Sequence, residues 1–182
     1  MTESNFEKKY EEERALKKLR DNVGLFGKTM FPTALNKDVP PFHHEIYRAL
    51  RNDNEKRVLI AAPRGTAKST VTSLILPLHK VAFKSSDKDL FIVIISESQS
   101  QSINFLSRIK YHLTHSANFK QIFGDYSANT AKRWTNNDIV LANGARIIAV
   151  GTGQRVRGFI EGDTRPNLII VDDYESELNA FT

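Results

Sequence analysis

Three short runs of apolar residues constrain the fold of this chain most strongly, and they occupy residues 58–62, 90–95 and 168–171. Continuous apolar runs of this length are typical of strands that are buried on both faces of a parallel sheet. Helical patterns over residues 68–83 and 99–115 separate the runs along the chain. We therefore predict an α/β fold in which helices flank a mostly parallel central sheet.

The remaining segments complete the predicted order of elements. The dipeptide Asn143-Gly144 is a strong turn signal, and it predicts an inserted β-hairpin formed by residues 138–141 and 145–150. Pro77 is expected to kink the helix over 68–83 or to end its first part. Towards the N-terminus the patterns predict an exposed helix over 5–22, a connecting loop over 24–41 and a helix over 45–52.

Composition excludes several classes of protein. The chain has 182 residues, 40% of them hydrophobic, and a formal net charge of +5, which favours a folded domain with a mild excess of base. It has no cysteine, so disulfide scaffolds, thiol nucleophiles, cysteine-ligated zinc and iron–sulfur clusters are excluded. Because we find neither an apolar run of about 20 residues nor a signal peptide, we expect an intracellular protein that is not secreted and has no membrane partner.

The first strand leads into a candidate phosphate-binding loop, residues 63–70, with the sequence Pro-Arg-Gly-Thr-Ala-Lys-Ser-Thr. A loop that enters a helix offers backbone N–H groups and the positive end of the helix dipole to phosphate oxygens. In such a loop Lys68 reaches the outer phosphates and the Ser69 hydroxyl ligates Mg²⁺. The alternative is an ordinary turn between a strand and a helix that contains Lys-Ser by chance.

The loop departs from the usual pattern G-x-x-x-x-G-K-[ST], because Ala62 and Ala67 stand at the two glycine positions. Ala67 fits only if its backbone is helical, as the first turn of a helix allows. We expect Gly65 to supply the unusual backbone angle that the loop needs.

The third apolar run ends in acidic residues, with Asp172 and Asp173 directly after it and Glu175 two positions later. Ligands of parallel sheets bind at the carboxyl edge, where these side chains are expected. Asp172 would hold Mg²⁺ through water, and Asp173 or Glu175 would orient the attacking water. The alternative is an acidic surface turn, but the phosphate loop and the acidic strand end together predict a nucleoside triphosphatase site.

Further candidates lie on either side of these motifs. Arg155 and Arg157 follow the hairpin in the glycine-rich segment 151–158, which suits a loop that presents guanidinium groups to phosphate, in cis or in trans. Arg64 lies inside the phosphate loop and is a further candidate to contact the γ-phosphate. Phe42 and His44 precede the loop and are candidates for stacking on a base, with plain packing as the alternative.

Taken in order, these motifs resemble the ATPase domain of the large terminase subunit, the DNA-packaging motor of tailed phages. The matching stretches are 41–44, 63–70, 96–98, 133–135, 151–158 and 169–175. The resemblance implies a P-loop NTPase of the RecA/ASCE-like kind that hydrolyses ATP with Mg²⁺. It also implies a homo-oligomeric ring on a portal that moves double-stranded DNA into a procapsid in the host cytoplasm, with a small terminase subunit as a partner.

The resemblance also implies roles for individual residues. Ser69 and Asp172 would bind the metal, Glu175 would be the catalytic carboxylate, and Arg157 is the first candidate for an arginine finger in trans, with Arg155 second. Arg64 would sense the γ-phosphate. The residues expected to contact the nucleotide are Phe42, His44, Pro63, Arg64, Gly65, Thr66, Ala67, Lys68, Ser69 and Thr70.

Two departures from the family pattern bear on these expectations. Many members place the catalytic Glu directly after the metal-binding Asp, where this chain has Asp173, so Glu175 and Asp173 both remain candidates. The family's later coupling motif and its nuclease domain have no counterpart before Thr182. We therefore expect an N-terminal segment over 1–40 and an ATPase core over 41–182 that is truncated after the acidic strand and does not cleave DNA.

Three other functions remain open at this point. A helicase-like, nucleic-acid-dependent ATPase shares the phosphate loop and the acidic strand, although it normally needs a second motor domain. A small-molecule kinase would need an acceptor pocket and an arginine-bearing lid. A nucleotide-binding module with little turnover would keep the fold without the activity.

Overall fold

The computed structural model describes residues 3–33, 35, 40–51, 56–153 and 164–174, with side chains from residue 7 onward. The chain is α/β, with helices and one five-stranded mixed sheet. It divides into two compact units, Met1–Thr66 and Ala67–Thr182. No helix in the described parts of the chain is long and apolar enough to cross a membrane.

The first unit contains three helices: α1 (Glu3–Asp21), α2 (Val23–Met30) and α3 (Pro41–Arg51). The helix predicted over 5–22 is confirmed as α1, and the one predicted over 45–52 is confirmed as part of α3. Leu19, Phe26, Met30, Ile46 and Tyr47 are buried and form much of this unit's core.

The predicted loop over 24–41 is wrong at its start, because α2 occupies residues 23–30. Asn22 caps this helix, since its side-chain oxygen accepts a hydrogen bond of 2.9 Å from the backbone N–H of Leu25. Gly24 lies inside the helix and against Tyr47, where a Cβ atom would be 2.5 Å from the tyrosine ring. The glycine here permits close packing of two helices.

The strand predicted over 58–62 is also wrong, because residues 57–63 form neither strand nor helix. Leu59 is 95% exposed, and Val58 is exposed as well. An apolar run becomes a strand only when another strand pairs with its backbone. None of the described strands pairs with this run.

The second unit begins with a helical stretch that runs from Lys68 to Ala82. It consists of α4 (Lys68–Thr70), a π-helical turn (Val71–Ile75) and α5 (Leu76–Ala82). Pro77 lies near the start of α5, directly after the π turn. Proline has no N–H to donate, and its ring crowds the preceding turn of the helix. The regular helical hydrogen bonds are therefore interrupted just before Pro77, and the wider π turn lies at this point.

The sheet has the strand order β2-β3-β4-β1-β5. Strand β1 (Phe91–Ser96) lies between β4 (Arg146–Gly151) and β5 (Leu168–Val171) and pairs in parallel with both. Strand β3 (Asp138–Val140) pairs antiparallel with β4 and with β2 (Arg133–Trp134), which forms one edge of the sheet. The expectation of a mostly parallel sheet is therefore corrected to a mixed sheet, because β4 pairs with its hairpin partner on one side and with β1 on the other.

The predicted hairpin is confirmed, with β3 and β4 on either side of the Asn143-Gly144 turn. Gly144 has a φ of +80°, the left-handed conformation that such a turn needs. The hairpin is part of the main sheet. Helix α6 (Gln99–His115), confirmed as predicted, packs on β1 and β4, and α7 (Ala117–Phe123) follows it.

Candidate active site

Three parallel strands end at the same edge of the sheet in the second unit. Ser96, the last residue of β1, is in register with Gly151, the last residue of β4, and Ile95 is in register with Val171 of β5. The turns that follow these strands therefore lie side by side. This is the edge at which parallel sheets bind ligands.

Hydrogen bonds join these turns to one another. The N–H of Glu97 donates to the carbonyl of Asp173 at 2.9 Å, and the N–H of Thr152 donates to the carbonyl of Ser96 at 2.9 Å. The Thr152 hydroxyl donates to the carbonyl of Glu97 at 2.6 Å. Asp173, the second residue after β5, is thus held by Glu97, the residue after β1, which fixes the start of the acidic segment.

Gly151 allows α6 to begin close to the sheet. A Cβ atom at this position would be 2.5 Å from the backbone nitrogen of Gln99, the first residue of α6. Real Cβ atoms essentially never come so close to a backbone atom, so a side chain here would displace the start of the helix. Ser98 caps that start, because its hydroxyl accepts from the N–H of Gln101.

Asp172 accepts hydrogen bonds from two serines of the helical stretch that starts at Lys68. The Ser69 hydroxyl donates to its Oδ1 at 3.1 Å, and the Ser73 hydroxyl donates to its Oδ2 at 2.5 Å. Ser73 is fully buried, whereas Ser69 and Asp172 are half-buried. Residues four apart on a helix share a face, so both hydroxyls reach one carboxylate.

The predicted metal ligands are therefore neighbours in space, although 103 residues separate them in the chain. Hydroxyl and carboxylate oxygens are the hard donors that Mg²⁺ prefers. No cluster of three or more His, Cys, Asp or Glu occurs among the described residues. The donor set fits a magnesium ion that takes few protein ligands and completes its shell with water and substrate phosphate.

The division between the two units falls inside the predicted phosphate loop, after Thr66. In the first unit the Thr66 hydroxyl donates to the carbonyl of Pro63 at 2.7 Å. His43, a buried residue of α3, holds the same threonine through a 2.6 Å hydrogen bond from its Nε2 to the carbonyl. Gly65 has a φ of +79°, as expected for the residue that supplies the unusual angle.

In the second unit, Ala67 precedes the first helical residue and has a φ of +57°, in the left-handed region. The condition under which Ala67 fits the phosphate-loop pattern, an ordinary helical backbone, is therefore not met. The conformation is the one that glycine adopts most readily, so alanine is strained here. Lys68, Ser69 and Thr70 follow in the first turn of the helix, all three half-buried.

Asp173 is also left-handed, with a φ of +48°, a conformation that aspartate tolerates better than most residues. Its side chain accepts a hydrogen bond of 3.2 Å from the Gln101 amide of α6. One of the two candidate catalytic carboxylates is thus held at the sheet edge beside the metal-ligand candidate. The other, Glu175, lies outside the described residues.

A groove of about 490 Å³ lies within the first unit, between α3 and residues 58–63. Phe42 lines this groove with Ile46 and Ala49, whereas His44 is exposed and does not line it. The two candidates for base stacking thus differ in their surroundings. Arg64 is exposed on the loop, and Arg155 and Arg157 lie outside the described residues.

Three contact residues were not predicted: Ser73 and Gln101 in the second unit, and His43 in the first. Ser73 carries a signal, because it lies four residues after Ser69 and so on the same face of the helical stretch. Gln101 carries none, since it acts through a contact with a residue distant in sequence. His43 lies in the stretch 41–44 of the resemblance, but no local pattern indicates its contact with Thr66.

Fold and site together define an α/β protein with a serine–aspartate pair at the carboxyl edge of its sheet. No protein-family model and no curated protein sequence matches the chain.

Proposed function

We propose that the chain is a Mg²⁺-dependent ATP hydrolase of the P-loop NTPase class, with a RecA/ASCE-like fold. The observation that carries the proposal is the 3.1 Å hydrogen bond between Ser69 and Asp172. In this class a hydroxyl after the loop lysine and an aspartate at a strand end hold the same metal ion. If the Lys-Ser turn and the acidic turn were unrelated, nothing would favour a contact between their side chains.

Each residue of the candidate site has its own role in the proposed hydrolysis. Lys68 neutralises charge on the outer phosphates, and the N–H groups of the first helical turn bind phosphate oxygens. Ser69 and Asp172 hold Mg²⁺, which when bound polarises the phosphates that it contacts. Asp173 or Glu175 orients the attacking water and accepts its proton. Arg64, Arg155 and Arg157 are the candidates to stabilise charge that develops on the γ-phosphate.

We further propose that this ATPase belongs to a terminase large subunit that moves double-stranded DNA into a procapsid. The support is the order of motifs along the chain, from residues 41–44 to residues 169–175. A homo-oligomeric ring, a small terminase subunit and an arginine finger in trans are parts of the same proposal. Adenine as the base rests on the resemblance, and Phe42 in its apolar groove is the candidate to stack on it.

Steady-state ATP turnover with and without Mg²⁺ tests the hydrolase. Lys68→Ala and Asp172→Asn should each lower kcat/KM by at least a hundredfold, because the first removes a cation from the phosphates and the second weakens the hold on Mg²⁺. Matched controls are Lys88→Ala and Asp87→Asn, in the exposed turn before β1, which should keep turnover within twofold. Equal turnover in the Lys68→Ala variant and its control would contradict the proposal.

The motor is tested by the same assay with double-stranded DNA. Turnover that rises with duplex DNA and is lost in Lys68→Ala supports a DNA motor. Stimulation by single strands alone favours the helicase-like alternative, and turnover that requires a small acceptor favours a kinase. If the protein binds nucleotide but shows no turnover under any of these conditions, the result favours a nucleotide-binding module.

A further inference from the structure

The side chain of His43 is buried in the first unit and contacts the backbone of the predicted phosphate loop. It is 5% exposed, and its Nε2 lies 2.6 Å from the carbonyl oxygen of Thr66, 23 residues later in the chain. A carbonyl oxygen only accepts hydrogen bonds, so Nε2 carries a proton and is the donor. The neighbouring His44 is exposed, so the two adjacent histidines have different surroundings.

Two aromatic neighbours fix the orientation of the His43 ring. Its centroid lies 4.6 Å from that of Phe42 and 5.9 Å from that of Tyr47, both in edge-to-face geometry. Tyr47 in turn packs against Gly24 of α2, so closely that a Cβ atom there would be 2.5 Å from the tyrosine ring. The imidazole is therefore held by the packing of α3 on α2, and its donor has a fixed direction.

The direction of the carbonyl groups matters in a loop that binds phosphate. Carbonyl oxygens carry negative partial charge and repel phosphate oxygens, whereas backbone N–H groups attract them. Two carbonyls of this loop face donors of the protein, since that of Pro63 accepts from the Thr66 hydroxyl at 2.7 Å and that of Thr66 accepts from His43. Within one trans peptide the C=O and the N–H point in opposite directions. The N–H of Ala67, which shares a peptide with the Thr66 carbonyl, therefore points away from His43.

We propose that His43 is a positioning residue for the phosphate loop. Its hydrogen bond keeps the Thr66 carbonyl away from bound phosphate and so turns the N–H of the same peptide towards the phosphate. The inference rests on the proposed function, because it takes residues 63–70 as the loop that binds the triphosphate. It makes phosphate affinity depend on a side chain that lies outside the loop, in α3.

The competing role for His43 is contact with the base of the nucleotide. The adjacent Phe42 lines the apolar groove of the first unit, but His43 does not line it. The Nε2 donor of His43 is also already used on the Thr66 carbonyl. Both observations favour a role in shaping the loop over a role in recognising the base.

The test is isothermal titration calorimetry of the full chain with magnesium tripolyphosphate and, separately, with magnesium ATP. Tripolyphosphate has no base and its binding requires no turnover, so it reports on the phosphate loop alone. His43→Leu keeps an apolar side chain in the core and removes the donor. It should weaken the binding of both ligands by the same factor, about tenfold, which is the usual scale for one hydrogen bond. Phe42→Ala should weaken ATP binding and leave tripolyphosphate binding within about twofold.

Three further variants separate positioning from charge and from packing. His43→Gln keeps a side-chain N–H donor without a charge, so it should bind tripolyphosphate within about threefold of the unchanged protein. Leu19→Ala removes a buried side chain of α1, also in the first unit, and should lower the urea midpoint without changing tripolyphosphate affinity. His115→Leu makes the same substitution at an exposed histidine of α6 and should change neither quantity.

Weaker binding of ATP but not of tripolyphosphate in His43→Leu would overturn the inference, because it would assign the histidine to the base. An equal loss of tripolyphosphate affinity in Leu19→Ala would overturn it as well, since the effect would then be one of stability. Lys68→Ala tests the proposed function separately. Tripolyphosphate binding that is lost in Lys68→Ala but unchanged in His43→Leu would contradict the role of His43 alone. Binding that Lys68→Ala leaves unchanged would contradict the phosphate loop itself.

Discussion

The buried hydroxyl of Ser73 donates a 2.5 Å hydrogen bond to Asp172, 99 residues later in the chain. The serine lies in the π-helical turn, and the aspartate follows the strand β5. A carboxylate that accepts from a buried donor has one preferred orientation, which directs its other oxygen towards Ser69. Ser73 is therefore a positioning residue for the candidate metal ligand.

Replacing this serine tests its role. Ser73→Ala should lower the free energy of unfolding by about 1–3 kcal/mol, because it removes a hydrogen bond to a charged group. It should also raise the Mg²⁺ concentration that gives half-maximal turnover several-fold. Urea denaturation and a magnesium titration of activity measure the two effects.

A suitable control is Ser102→Ala, another fully buried helical serine, whose hydroxyl donates to the carbonyl of Gln99. It should cost less stability and leave the magnesium titration unchanged. If both variants shift the titration equally, Ser73 has no special role at Asp172.

Alanine should be tolerated better than asparagine at Gly151, and asparagine better than alanine at Gly153. Gly151 lacks space for a Cβ, whereas Gly153 has open space but a φ of +82°. Gly151→Ala should lower the free energy of unfolding by about 1–3 kcal/mol, and Gly151→Asn by more, because the larger side chain adds to the overlap. At Gly153 the order should reverse, since asparagine tolerates the left-handed conformation better than alanine. Urea denaturation of the four variants shows whether the two orders differ.

The parts of the fold that follow from local pattern were predictable. Helix α6 has apolar residues at helical spacing, and the Asn143-Gly144 turn requires a conformation that only a few residue types adopt readily. The run over 58–62 shows the limit of such patterns. An apolar run has the same sequence whether or not a neighbouring strand pairs with it, and pairing depends on residues far away in the chain.

The candidate site likewise has features that a local pattern predicts and features that it does not. Ser69 and Asp172 were predicted because each belongs to a local motif with a known role at a sheet edge. Their separation of 3.1 Å depends on how β5 and the helical stretch pack, which no local pattern encodes. The left-handed Ala67 was also missed, because the identity of a residue limits its backbone conformation without determining it.

Ala67 provides a third test. Ala67→Gly should raise the free energy of unfolding by about 0.5–1 kcal/mol, because the relief of left-handed strain exceeds the entropy gained by the unfolded chain. Ala49→Gly, in the interior of α3, should lower it by about 1 kcal/mol. Urea denaturation of both variants shows whether each substitution raises or lowers the free energy of unfolding. A loss of stability in both would mean that the strain at Ala67 is smaller than its backbone angle implies.

His112 provides a pH-dependent test in α6. Burial lowers the pKa of its imidazole from the ordinary value of 6.5, and the positive charge of Arg108 lowers it further. The unfolded chain therefore binds a proton more readily than the folded protein. The stability that neutral His112 contributes is present above pH 6.5 and is lost as the pH falls through the lower pKa of the folded protein.

A proton NMR titration measures this pKa directly. Arg108→Ala should raise the pKa of His112 but leave it below 6.5, because burial is the larger cause. His112→Gln should make unfolding less dependent on pH between 7.5 and 5.5 than in the unchanged protein. A His112 pKa at or above 6.5 in the folded protein would contradict the expected burial of the ring, and no change in Arg108→Ala would show that the two side chains do not interact.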